Sequence, residues 1–185
     1  MKKIVDMMHD LILTYLKEDS IAVDFTLGQG NDLLFLAKQS KIQHVYGFDI
    51  QKEAIDITRQ KVEEESLQDR VTLILDGHQH CDQYIKTFDV GIFNFGYLPQ
   101  GDHKITTMLE TSKQAVDKAL SMLTKKGILI LVVYPGHEQG KIESAYFDEW
   151  CDSLSGHTYN VLYVRLANHK SAPYGIMIEK IKNTL

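Results

Sequence analysis

The chain of 185 residues (21.2 kDa) is 44% hydrophobic and 24% charged, close to the averages of soluble globular proteins. Its size suits one domain, and its composition excludes a disordered, collagen-like or low-complexity protein. The net charge of -5 counts against a nucleic-acid binder, yet residues 1–100 carry 10 basic and 16 acidic side chains and residues 101–185 carry 10 and 9, so any such face belongs to the second half.

The opening MKKIVDMMHD begins like a signal peptide, but Asp6, His9 and Asp10 interrupt the apolar stretch that one requires. Apolar residues at positions 4, 5, 8, 11, 12, 15 and 16 instead draw one stripe on an amphipathic helix. Ile21 to Thr26 is a short buried strand running into the turn LGQG, and Leu33 to Lys38 is a helix. His44 to Ile50 is a second strand, Lys52 to Glu65 a charged helix, and Val71 to Leu75 a third strand ended by Asp76-Gly77. Phe88 to Phe93 is a fourth strand, followed by the turn-rich NFGYLPQGDH. Ile105 to Leu123 has helical periodicity, with Gly127 after Lys125 and Lys126 as its stop signal. Ile128 to Tyr134 is a fifth strand, broken at Pro135-Gly136 and far too short to cross a bilayer. A helix from Lys141 to Leu154 leads to two consecutive strands, Thr158 to Leu166 and Tyr174 to Ile181.

Helix and strand alternate until that final hairpin, and ILILVVY reads as a strand covered on both faces. The expected fold is α/β, one domain over residues 1–185. Its core is a Rossmann-like, doubly wound seven-stranded sheet, mostly parallel with one antiparallel strand. Cys81 and Cys151 offer neither a disulfide framework nor metal-ligand spacing, so two ordinary thiols and no metal are expected. The protein is expected to be soluble and cytoplasmic.

In an open α/β sheet, ligands bind beyond the carboxyl ends of the strands. Four informative segments fall there. In DFTLGQGND (24–32), the Gly28-Gln29-Gly30 turn lets the backbone approach a ligand and aims free N–H groups at its negative end. The same turn also fits an ordinary strand-to-helix connection, and Leu33 stands where a dinucleotide motif has its third glycine. Asp49, at the second strand end, can accept both hydroxyls of a ribose, or cap the helix that follows. Asp76-Gly77-His78 can read the amino group and ring nitrogens of an adenine. Asn94-Phe95-Gly96-Tyr97 can offer an amide oxygen and a carbonyl to one amine while Tyr97 stacks on a base; it also fits a plain turn with a packed tyrosine. Together these describe a nucleoside cofactor and an amine acceptor, the requirements of methyl transfer from S-adenosylmethionine.

DFTLGQGND, GFDIQ, LILDGHQ, NFGYLPQGDH, VVYPGH and the C-terminal NHK…PYGIMIEK resemble the YtqB/MnmM family of class I methyltransferases along essentially the whole chain. The family was long labelled rRNA methylases and is associated with methylation of the 5-aminomethyl group of 5-aminomethyl-2-thiouridine at the tRNA wobble position. The resemblance implies S-adenosylmethionine as cofactor, with Gly28, Gln29, Gly30 and Asn31 at its methionine end. It also implies Asp49 and Gln51 on the ribose, Asp76 and His78 beside the adenine, and Asn94 and Tyr97 at the reacting amine. Family members commonly carry Asn at position 29 and His at position 31, so fine geometry differs here. The glycine motif also resembles that of the 16S rRNA cytosine N4-methyltransferases, which are longer. Asn-x-x-Tyr resembles the Asn-Pro-Pro-Tyr signature of amino methyltransferases, with Phe95 and Gly96 replacing both prolines.

A primary alkylamine must lose a proton before it attacks, and Asp32, Tyr134 and His137 are the candidate bases unless solvent takes it. The partner expected is tRNA at its anticodon region, or rRNA. Arg165, His169 and Lys170 are the expected RNA contacts, and Tyr146, Phe147 and Trp150 form core, RNA platform or dimer contact. A homodimer would help a small acidic domain present RNA-binding surface. A small-molecule amine methyltransferase and an NAD-type enzyme are the other readings. The missing third glycine and the Asn-x-x-Tyr loop speak against the last.

Overall fold

A computed structural model describes residues 1–95 and 109–182. Its elements, in chain order, are α1 (Ile4–Tyr15), β1 (Ser20–Asp24), α2 (Asn31–Ala37), β2 (Ile42–Asp49), α3 (Lys52–Glu64), β3 (Val71–Leu75), β4 (Phe88–Asn94), α4 (Leu109–Met122), β5 (Leu123–Val133), α5 (Glu138–Ser153), β6 (Tyr159–Val164) and β7 (Tyr174–Lys180). Two short turns of 3-10 helix, Gln68–Arg70 and His78–Gln83, escape the sequence pattern because they are too short to show a period. The seven strands form one sheet in the order β3-β2-β1-β4-β5-β7-β6. β7 alone is antiparallel to its neighbours β5 and β6, and the other pairings are parallel. The expected doubly wound sheet with one reversed strand is what the chain forms.

Every residue of β5 from Gly127 to Val133 is buried, which is why ILILVV shows no alternation. Ile128, Ile130 and Val132 face a core built with Met8 and Ile12 of α1 and Leu33 and Leu36 of α2. Leu129, Leu131 and Val133 face the opposite core with α4, Phe147 of α5 and a run of phenylalanines. In that run Phe25 stacks on Phe93 at 4.2 Å, and Phe95 stacks on Phe147 at 5.0 Å. Burial of these rings, each contributing about 2–3 kcal/mol, fixes the ends of β1 and β4 side by side. Phe147 is core, and Tyr146 and Trp150 pack against it, with Trp150 Nε1 donating to Asp117 at 3.1 Å. Phe147 is therefore core, while Tyr146 and Trp150 are half-buried at its edge.

Two boundaries differ from expectation. α4 ends at Met122 and β5 begins at once, with pairing that jumps from Phe88–Leu123 to Val90–Ile128. The left-handed residue is Lys126 at φ +62°, not Gly127. Gly127 is required for another reason: a Cβ there would lie 2.8 Å from the Asp89 carbonyl. α5 starts at Glu138, three residues early, because His137 caps it.

Candidate active site

The strand order reverses between β1 and β4, so their carboxyl ends bound the crevice where ligands settle in such sheets. Asp24 closes β1 and is wholly buried. Its Oδ1 accepts from the Thr26 N–H at 3.1 Å, while Oδ2 finds no partner among the described residues. Burial first, and then the charge of Asp32, push this carboxyl well above the usual range. A buried oxygen without a hydrogen bond is costly, and the Leu33 N–H, the next backbone donor toward this carboxyl, offsets part of that cost.

The glycine turn follows. Gly28 and Gly30 sit at φ +50° and +75°, the left-handed region that glycine occupies freely. A Cβ on Gly30 would fall 2.5 Å from Thr58 Oγ1, so the turn is pressed onto α3. Gly30 N donates to the Leu27 carbonyl at 2.7 Å, Lys61 Nζ donates to the Gln29 carbonyl at 2.7 Å, and the exposed Asn31 opens α2. Gly28 N donates to Asp49 Oδ2 at 2.9 Å.

Asp49 thereby joins two strand ends, since its Oδ1 also accepts from Gln51 N at 2.9 Å at the start of α3. Asp49 braces the helix start, and each oxygen keeps a lone pair for a further donor. Burial raises its pKa. Ile50, between Asp49 and Gln51, is 61% exposed, and Leu75 at the end of β3 is 53% exposed. No motif in the sequence marks these two apolar side chains at the open edge.

Asp76 is committed to its own turn. It accepts from Gly77 N at 2.7 Å, pairs with His80 Nδ1 at 2.9 Å and accepts from the Tyr84 hydroxyl at 2.8 Å. The His80 bond, then Tyr84, hold its pKa below the usual carboxylate value. His78 places Nδ1 3.0 Å from the Phe25 carbonyl. A carbonyl only accepts, so Nδ1 carries the proton; burial lowers the pKa, and Nε2 of the neutral ring remains an acceptor.

Asn94 ends β4 opposite this wall. Its N–H donates to Thr26 Oγ1 at 2.7 Å and its Nδ2 donates to Asp32 Oδ2 at 3.0 Å. The Tyr134 hydroxyl lies in hydrogen-bond reach of the same amide, and burial, then the Asp32 charge, raises its pKa. Asp32, 6% exposed, turns its other oxygen to His9 Nε2 at 2.7 Å, and the His9 ring stacks on Phe35 at 3.8 Å. A chain His9–Asp32–Asn94 results, with Tyr134 beside it. Of the three candidate bases, Asp32 joins this chain and Tyr134 lies next to it. His137 does not: its Nδ1 accepts from Gly140 N at 3.0 Å and caps α5. Tyr97 lies outside the described residues. Sequence reasoning misses His9 and Asp24 as members of the site. The one available signal for His9 is a polar residue inside the apolar stripe of α1, between Met8 and Ile12.

β6 runs parallel to β5, so the loop from β6 to β7 opens on this same edge. A cavity of about 420 Å³ there is lined by Arg165, His169 and Lys170 together with Pro135, Asp148 and Tyr174. The Tyr174 hydroxyl donates to Asp148 at 2.9 Å. Cys81 and Cys151 are buried and free, with pKa values pushed up to about 11 and about 12 by burial, which removes them as nucleophiles. Among the described residues no group of three His, Cys, Asp or Glu could hold a metal ion, and no helix is long and apolar enough to cross a membrane.

Residues 45–180 match the family described as "Putative rRNA methylase". The chain belongs to this family. A Clostridium thermocellum protein of the same description superposes with a TM-score of 0.92 at 40% identity, covering 98% of this chain and 99% of that one. SMU.1697c of Streptococcus mutans, solved in complex with SAH, gives 0.88 at 34% identity over 97% of this chain and 99% of that one. The tRNA (mnm(5)s(2)U34)-methyltransferase, chloroplastic, of Arabidopsis thaliana is 26% identical over 98% of this chain and 71% of its own length. Membership in the family, with this fold, makes the chain an S-adenosylmethionine-dependent methyltransferase. The residues present fit that cofactor. The Gly28–Gly30 turn, Asp49 and the free acceptor at His78 Nε2 lie at the carboxyl ends of neighbouring strands, where such a cofactor needs them.

Proposed function

We propose that the chain methylates a primary amine on RNA, and that the acceptor is the 5-aminomethyl group of wobble 5-aminomethyl-2-thiouridine in tRNA. The observation that carries the reading is the anionic backing of Asn94: a nearly buried carboxylate, Asp32, sits behind the amide at the end of β4. An alkylamine, with a pKa near 10 like that of lysine, arrives as a cation, and negative charge behind the acceptor pocket favours it. A ring nitrogen or an exocyclic base amine arrives neutral and gains from that charge only as positive charge develops on the attacking nitrogen. The name of the Arabidopsis relative agrees with an aminomethyl acceptor.

The bound cofactor supplies a methyl group on a sulfonium already activated for displacement. Gly28, Gln29, Gly30 and Asn31 would hold its methionine end, and Asp24 Oδ2 would accept from a donor there. Asp49 and Gln51 would hold the ribose, Ile50 and Leu75 would cover the base, and His78 Nε2 would accept at its edge, with Asp76 keeping the His78 turn in place. Once the ammonium has released a proton to solvent, Asn94 would turn its amide oxygen to the neutral amine and hold it in line. The protein's contribution is then mainly orientation and exclusion of water. Nucleoside mass spectrometry of tRNA from a strain lacking the protein tests the reading. Accumulated 5-aminomethyl-2-thiouridine is expected. Unchanged wobble nucleosides with a methyl group missing from rRNA would assign the site to the family's other described substrate.

A further inference from the structure

We infer that His9, on the N-terminal helix, is a positioning residue for methyl transfer, acting through Asp32 to fix the orientation of the Asn94 amide. The inference rests on the reading above for the acceptor, but its geometry stands apart from it. An ionised carboxylate only accepts, so Asp32 Oδ2 can face the Asn94 amide solely through Nδ2. That choice turns Asn94 Oδ1 away from Asp32, leaving it for a donor. Asp32 itself must be held, because its side chain is only 8% exposed and has little water to anchor it. His9 Nε2 donates to Oδ1 at 2.7 Å from a side chain 16% exposed.

The imidazole cannot swing freely. Its ring lies against Phe35 at 3.8 Å with the planes 2° apart. The helix beneath it is registered on the sheet by Met8, whose sulfur fills the hollow that a side chain on Gly175 would otherwise occupy. The other polar or charged groups near the pair are Asp24 and, on the far side of Asp32, Asn94 and Tyr134.

Two measurements test the role. The first needs no substrate: nuclear magnetic resonance of the Asn94 side-chain amide in the free protein. Hydrogen exchange of Nδ2 should quicken at least about tenfold in His9→Ala and stay within a few-fold of wild type in His9→Gln, whose Nε2 can still donate to Asp32. The second is single-turnover methylation of tRNA bearing the aminomethyl group. His9→Ala should slow the step by about tenfold to a hundredfold, the scale of a small misplacement, with KM for the cofactor within twofold and with rescue by His9→Gln. If His9→Ala does not fold, His9→Leu keeps an apolar contact with Phe35 and removes the donor. Unchanged Asn94 exchange in the donor-less variant overturns the inference, and so does a His9→Gln variant as impaired as His9→Ala. A wild-type protein that leaves this tRNA unmethylated overturns the acceptor reading instead, and the exchange measurement still decides His9.

Discussion

Asp24 stores strain that its neighbours make useful. Its carboxyl is wholly buried, one oxygen is unmatched, and its pKa is raised by burial and by Asp32. Above the unfolded carboxylate value of about 3.9, the folded chain therefore holds a proton that the unfolded chain has released, and stability falls as pH rises through that window. Asp24→Asn removes the cost. Its melting temperature at pH 7.5 should exceed wild type by about 2–4 °C, the shift per ~1 kcal/mol in a domain of this size, and the two should converge near pH 4. Cofactor affinity should drop, because an amide nitrogen replaces an acceptor. A melting point at or below wild type would show that Asp24 is not strained. Asn94 makes the opposite trade. Asn94→Ala should leave cofactor affinity within a few-fold and slow methylation by about 10²–10³ in single-turnover assays, the scale for removing one group that positions the reacting amine. Near-normal turnover would place the acceptor elsewhere.

The β1–α2 turn carries several of these residues, and its sequence announces it. Strand, Gly-x-Gly and helix are legible because glycine punctuates the chain and apolar runs mark strands; for the same reason all seven strands can be found in order. What escapes is side-chain chemistry between elements far apart in sequence. His9 meets Asp32 across 23 positions and Asn94 meets Asp32 across 62, and no local pattern encodes such pairs. The Asn94 amide nitrogen is held by that distant carboxylate. Asp76 shows the reverse difficulty: a strand end is legible, but not that its oxygens serve Gly77, His80 and Tyr84. Gly30→Ala tests how tightly the turn is built. At φ +75° a side chain costs about 1–2 kcal/mol, and the methyl group also collides with Thr58. The variant should lose both stability and cofactor affinity in calorimetry. Adding Thr58→Ala should restore part of the stability, since it relieves the collision and leaves the backbone strain. Full recovery in the double variant would mean that the positive φ costs nothing.

At the scale of the molecule, one sheet edge gathers the N-terminal helix, the crevice between β1 and β4, and the loop after β6. Strand direction causes this: β6 points the same way as β1, β4 and β5, so Arg165, His169 and Lys170 emerge beside the Tyr134–His137 turn rather than at the far end. If the acceptor is on RNA, the cations must lie where the phosphates pass, and this loop is basic while the strand ends around Asp24, Asp49 and Asp76 are acidic. Arg165 lies over the Tyr163 ring at 5.5 Å, which steadies its guanidinium without neutralising it. Replacing Arg165 and Lys170 together with Ala should therefore weaken tRNA binding. The slope of log affinity against log salt should also flatten, by about 0.7–0.9 for each phosphate left without its cation, with one to two phosphates affected in all. Cofactor affinity should not change, because neither residue touches the glycine turn or Asp49. Titrations of tRNA across a range of salt concentrations measure the slope directly. A slope equal to wild type would remove this loop from the RNA path. The search would then move to the acidic half of the chain, where Lys2, Lys17, Lys38, Lys41, Lys52 and Arg59 already pair with carboxylates.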